Sequence, residues 1–185
     1  MHKILFLSLF AASLFANSPA QTEDPSIHKI IGGGSLGEKT YETVDCEGIL
    51  KLNGSTIKKN LQVNGSLIAT FANIQALDAS GEVNLRSSIV SEESSIHGYL
   101  RAQSTSFKAP LTLNGRKAVF TNSKLSSITV KEEHGFKAKQ VIELKQNSIV
   151  DGSIKFNSGK GEVHIYPGCK ITGTVTGGKI IKKNH

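Results

Sequence analysis

The chain has 185 residues, of which 38% are hydrophobic, 20% charged and 6% aromatic, with no Trp and a formal net charge of +7. That length suits one domain, and so few large rings argue against an ordinary α/β globule and for a thin core of Ile, Val and Leu. Eighteen Lys against three Arg after residue 20 argue against specific recognition of bases or phosphates, which relies on Arg forks.

The first residues, Met1-His2-Lys3, precede an apolar run from Ile4 to Leu14 broken only by Ser8 and Ser13, and Ser18-Pro19-Ala20 follow. A basic start, a short apolar stretch and a small-residue site predict a signal peptide over 1–20, cut after Ala20. The run is shorter than the roughly 20 residues of a spanning helix. The expected address is therefore secreted or periplasmic, an oxidising compartment for Cys46 and Cys169.

Residues 21–47 are polar, hold Gly32-Gly33-Gly34 and show no sustained period, so a flexible leader is expected there. The stretch from Gly32 to Thr40 approaches a phosphate-binding loop, but Glu38 stands where that loop needs Gly before its Lys, and no amphipathic helix follows. From Gly48 onward, short alternating stretches are separated by turn signals such as Asn53-Gly54, Asn64-Gly65 and Asn114-Gly115. Alternation with period two marks strands.

One phrase returns: Ile96-His97-Gly98-Tyr99-Leu100, Val150-Asp151-Gly152-Ser153-Ile154 and Ile171-Thr172-Gly173-Thr174-Val175. Its last two copies are 21 residues apart. Leu61-Gln62-Val63-Asn64-Gly65 is echoed by Leu111-Thr112-Leu113-Asn114-Gly115, Phe71 by Phe120, and Gly81-Glu82-Val83-Asn84-Leu85 by Gly161-Glu162-Val163-His164-Ile165. Repeats that cannot bury a face alone must stack. The expected fold is all-β, a right-handed parallel β-helix (solenoid) of about six rungs over 48–177, with a basic tail over 178–185. In the phrase the Gly shares the parity of the apolar residues and is expected to point inward. Linear stacking also separates Cys46 from Cys169 by several rungs of about 4.8 Å, beyond the roughly 7 Å Cα limit of a disulfide. Free thiols or an intermolecular bridge are expected.

The phrases over 147–177, with fainter copies back to residue 57, resemble those of bactofilins, the polymer-forming β-helical scaffold proteins, and of the β-helical heads of secreted adhesin-like proteins. The resemblance implies a non-enzymatic scaffold and, for bactofilins, polymerisation. The chain differs in carrying a signal-peptide pattern, whereas bactofilins are typically cytoplasmic.

No catalytic or metal-binding set stands out, and no cofactor is expected. His28, His97, His134, His164 and His185 form no pair at ligand spacing, and the four Asp residues include no Asp-x-Asp within the repeats. Charge is more informative. Residues 21–107 carry seven Lys and Arg against ten Asp and Glu, residues 108–185 fourteen against five. Unlike ends predict head-to-tail homo-oligomers, or attachment of the basic half to an anionic polysaccharide or a membrane surface, with Lys179, Lys182 and Lys183 as candidate contacts. No specific nucleic acid is expected. The expected function is an exported, non-enzymatic structural or adhesive module. The alternative is a carbohydrate-active or carbohydrate-binding β-helix.

Overall fold

The computed structural model describes residues 26–132 and 139–184. The expected signal peptide, His134 and His185 lie outside them. Among the described residues there are nineteen strands and no helix, and the strand pairings are parallel. Ile30, Cys46, Val63, Ala79, Ile96, Leu113, Val130 and Phe156 are successive register partners, one per turn. Val175, stacked on Ile154, marks a ninth level. The chain is a parallel β-solenoid of about nine turns, about 40 Å long at the usual strand spacing.

The expected six rungs are thus too few, for two reasons. A turn over most of the coil takes 16 to 18 residues, as in Ile27 with Thr43 and Leu100 with Ala118. The 21-residue step holds where Val150 pairs with Ile171, and the 50-residue echo of Leu61 in Leu111 spans three turns, through Leu77 and Ser94. In addition, the expected leader and tail belong to the coil. Strands Ile27–Leu36 and Thr43–Asn53 pair in register, and Gly178–Lys182 pairs with Gly161–Ile165. The alternation of the first turn is hidden because Gly34 occupies the position held by Leu50 and Leu67 in the next turns. Ile30 fills the gap: a Cβ on Gly34 would lie 3.0 Å from its Cγ2.

Each turn has three corners. At the first, Gly32, Gly48, Gly65, Gly81 and Gly98 stack with φ between 86° and 142°. A Cβ on Gly81 would stand 2.0 Å from the carbonyl oxygen of Gly65, so only glycine fits both the backbone and the spacing. The inward reading of this Gly is corrected: Gly98 is exposed, because the chain bends there instead of continuing a flat strand. The phrase also marks two different corners, since Gly152 and Gly173 stack elsewhere, with Gly173 N–H donating to the Gly152 carbonyl at 3.2 Å.

The second corner passes through left-handed backbone at Phe71, Ser87, Ser104 and Asn122. Phe71 is therefore an exposed corner residue, while Phe120 is fully buried and shares its column with Ala102 and Leu85. Their similarity in sequence does not reflect a shared position. After this corner comes a column of buried hydroxyls, Ser55, Ser88, Thr105, Ser123 and Ser148. Ser148 Oγ accepts from Ser123 N–H (3.2 Å) and Ser123 Oγ from Thr105 N–H (3.1 Å), which satisfies backbone donors inside the coil.

The core is a narrow stack of aliphatic side chains along the axis. Where the chain passes from Val130 to Val141 the register step grows to 24 to 26 residues, as in Lys117 with Val141 and Ile128 with Ile154. Buried Gln140 closes the base of this insertion. Its Nε2 donates to the carbonyls of Lys131 (2.7 Å) and Gly115 (3.3 Å). Cys46 is buried in turn 2, Cys169 is partly buried near the other end, and both are free.

Candidate functional site

The strands that follow the glycine corner carry most of the organised polar chemistry. Pleating turns alternate residues outward, so parallel register stacks outward residues of successive turns. Asn84, Arg101, Val119, Glu143, His164 and Ile181 form one such column. Glu143 is 8% exposed and bound by two ammonium groups, Lys117 at 2.7 Å and Lys145 at 2.8 Å. Burial works against its charge, but the hydrogen bonds from Lys117 and Lys145 outweigh burial and hold the carboxyl below the ordinary glutamate range. The same bond, with Glu143, raises the Lys145 ammonium, which also lies 4.9 Å from the centre of the Tyr166 ring. One turn on, Glu162 pairs with Lys139 and with His164 Nε2 at 3.0 Å. Those two bonds, Lys139 first, also lower its pKa.

Two hollows open on this side. The larger, about 730 Å³, lies on the glycine corner and is lined by His97, Tyr99, Asn114, Arg116 and Lys117 among others. It forms where one residue is added to the turn: Asn114 pairs with His97 but Ala118 with Leu100, so Arg116 and Lys117 span what Tyr99 spans one turn below. Asn114 Nδ2 lies 3.3 Å from His97 Nδ1, and Asn114 Oδ1 is buried without a partner. The smaller hollow, about 250 Å³, is lined by Ile68, Thr70, Asn84, Arg86, Arg101 and Gln103. Arg101 Nη2 donates to Tyr99 Oη at 3.1 Å and its Cζ lies 5.8 Å from the ring centre, which fixes the guanidinium between the two hollows.

The sequence-expected contacts lie elsewhere. Lys179 and Lys182 belong to the strand Gly178–Lys182, in register with Glu162 and Ile165, and Lys183 N–H donates to the Ile165 carbonyl at 2.9 Å. They are brought together, as part of a strand rather than a loose tail. The histidines are not: His28 packs on Tyr41 with ring centres 5.2 Å apart, His97 lies at the glycine corner and His164 sits two turns or more away. Among the described residues no group of His, Cys, Asp or Glu is arranged to hold a metal. Sequence reasoning missed the charged pairs around Glu143 and Glu162 and the arginine-lined hollows. The signal lay in the matched positions of Val141-Ile142-Glu143-Leu144 and Glu162-Val163-His164-Ile165, but only with the correct register.

The chain matches no family model, and no curated protein or solved structure matches it significantly.

Proposed function

We propose that the protein is an exported, non-enzymatic β-solenoid that works as a structural module and associates end to end. The observation that carries this reading is the exposure of Ile180. Val83, Leu100, Ala118, Ile142 and Val163 of its column are all buried to 3% exposure or less, whereas Ile180 is 51% exposed, with no described residue stacked over it. Among the described residues its strand and the strand Ile27–Leu36 each bond a neighbour on one side only, leaving backbone groups that another edge can pair. Lysines on an edge normally prevent such pairing. Here Lys170, Lys179, Lys182 and Lys183 repel a like end, while over residues 26–53 Glu38, Glu42, Asp45 and Glu47 slightly outnumber Lys29, Lys39 and Lys51. Repulsion disfavours contact between two basic ends and leaves head-to-tail stacking, the heterologous geometry that makes open filaments. Bactofilin-like polymerisation fits the same geometry.

A hydrolytic reading has less support. Acid–base cleavage of a glycosidic bond needs one carboxyl held protonated beside one held ionised. Glu143 and Glu162, the carboxyls most enclosed in this face, are both shifted toward the ionised form.

Sedimentation of the mature protein at low and high salt tests the proposal. Large species that shrink with salt, and that Ile180→Lys reduces to monomer at low salt, are expected. A wild-type monomer under both conditions overturns it.

A further inference from the structure

The two ends of the coil cut the same columns of side chains. Followed from turn to turn, one inward column begins at Gly34 and ends at Ile180. A second begins at Leu36 and ends at Lys182. A third, on the side after the hydroxyl corner, begins at Tyr41 and ends at Ile171. The terminal members Ile30, Tyr41, Ile171 and Val175 pack on the core but are only partly buried. The ends also differ in shape. At the head Gly34 brings no side chain, and Ile30 leans into its place. At the tail Ile180 projects, 51% exposed, and Gly177, stacked on Phe156, brings none. Isoleucine at each end therefore stands opposite glycine at the other.

We propose that the joint between two copies continues the coil in register: the strand Gly178–Lys182 of one copy pairs in parallel with residues 32–36 of the next, Ile180 on Gly34. This rests on the end-to-end reading above and adds to it the partner strand and the pairing. The joint supplies the ladder that each edge strand lacks. It sets Ile180 over Ile30 and Ile171 against Tyr41, so the apolar ends of the columns cover one another. Register is fixed twice. A slip of one residue turns the inward set outward. A slip of two keeps that parity but sets the corners of one copy against the strands of the other. Charge agrees with the same pairing. Lys182 stands at the end of a core column, where a stacked turn would bury its ammonium. In the joint its stem lies on Leu36 while the ammonium reaches exposed Glu38, two residues on. Among the described residues neither Lys182 nor Glu38 takes part in an ion pair, so each gains a partner only at the joint.

The test is disulfide trapping in the mature protein carrying Cys169→Ser, which removes the partly buried thiol and leaves only buried Cys46. Ser35 and Ile181 begin and end one outward column. Within one copy they are about 40 Å apart, so any bridge between them joins two copies. In the joint their Cα atoms lie about 4.8 Å apart, inside the disulfide range. Ser35→Cys/Ile181→Cys, oxidised with diamide at low salt, should give a ladder of covalent multimers on a non-reducing gel. Ser35→Cys/Lys179→Cys places the pair about 8 Å apart, from about 4.8 Å between strands and about 3.3 Å per residue, and should give none. Glu38→Lys should weaken association in sedimentation about tenfold, and Glu38→Lys/Lys182→Glu should recover much of it. Large species in sedimentation with no ladder from the first pair, or with a stronger one from the second, overturn the register and leave the end-to-end reading standing. A double charge variant no better than Glu38→Lys overturns the Lys182 contact. Absence of large species at any salt overturns both readings.

Discussion

At the residue scale the corner glycines are the strictest element of the design. At Gly81 a side chain meets two obstacles together, a φ of 125° and a carbonyl oxygen 2.0 Å from its Cβ. The backbone conformation alone costs about 1–3 kcal/mol for a non-glycine residue, and the oxygen belongs to a neighbouring turn held by its own ladder. Gly81→Ala should therefore destabilise the protein by about 3 kcal/mol or more in chemical denaturation. Gly37 has open space where a Cβ would stand, with nothing within 4 Å, and no left-handed φ. It should tolerate Ala with little change. Cys46 illustrates a different residue-scale effect. Burial, and then the neighbouring charge of Asp45, push its thiol up, so in the folded state it is a small core side chain and a poor nucleophile.

At the scale of elements, strands of successive turns are joined by backbone ladders and by side chains that reach across. Lys117 in turn 6 and Glu143 in turn 7 form such a link across the long insertion. Because the folded Glu143 carboxyl lies below its unfolded value of about 4.3, its contribution is fully present above that pH and is lost as pH falls through the lower, folded value. Glu162 has the same sign. Melting temperature measured against pH should fall on the acid side below about pH 4, and Glu143→Gln should lower stability at neutral pH while flattening that decline. An identical acid profile in wild type and variant would count against the link. The hydroxyl column after the second corner has a related role, since it satisfies inward backbone donors that an aliphatic side chain at Ser123 or Ser148 would leave unpaired.

At the scale of the whole molecule, contacts run between neighbouring turns, and stability should behave as a sum along one axis. Removing residues 167–185 takes away the last strand pairings, of Ile149–Val150 with Lys170–Ile171, of Ile154–Lys155 with Val175–Thr176 and of Gly161–Ile165 with Gly178–Lys182, and uncovers Val163. The expected outcome is a lower denaturation midpoint with β-rich circular dichroism retained. Complete loss of structure would show that the last turn nucleates the coil.

The sequence by itself determined the class of fold, because alternation at Ile49-Leu50-Lys51-Leu52 or Leu61-Gln62-Val63 is local and inward positions must be apolar. It also predicted that Cys46 and Cys169 stay apart, which needs only stacking order. The turn length was not legible in the same way. The phrase around Gly152 and the phrase around Gly98 look alike but bend different corners, and the 50-residue echo is three turns that a local pattern cannot divide. The first turn has no visible period because Ile30 fills the space that Gly34 leaves, a compensation that exists only in three dimensions. The arginines show the same limit: residues 15 apart in a chain that turns every 17 fall on a diagonal, and neither number means anything without the other. Periodicity encodes which face is buried, whereas what meets on the outer surface depends on the exact length of each turn, and that length is decided by the packing of one turn on the next.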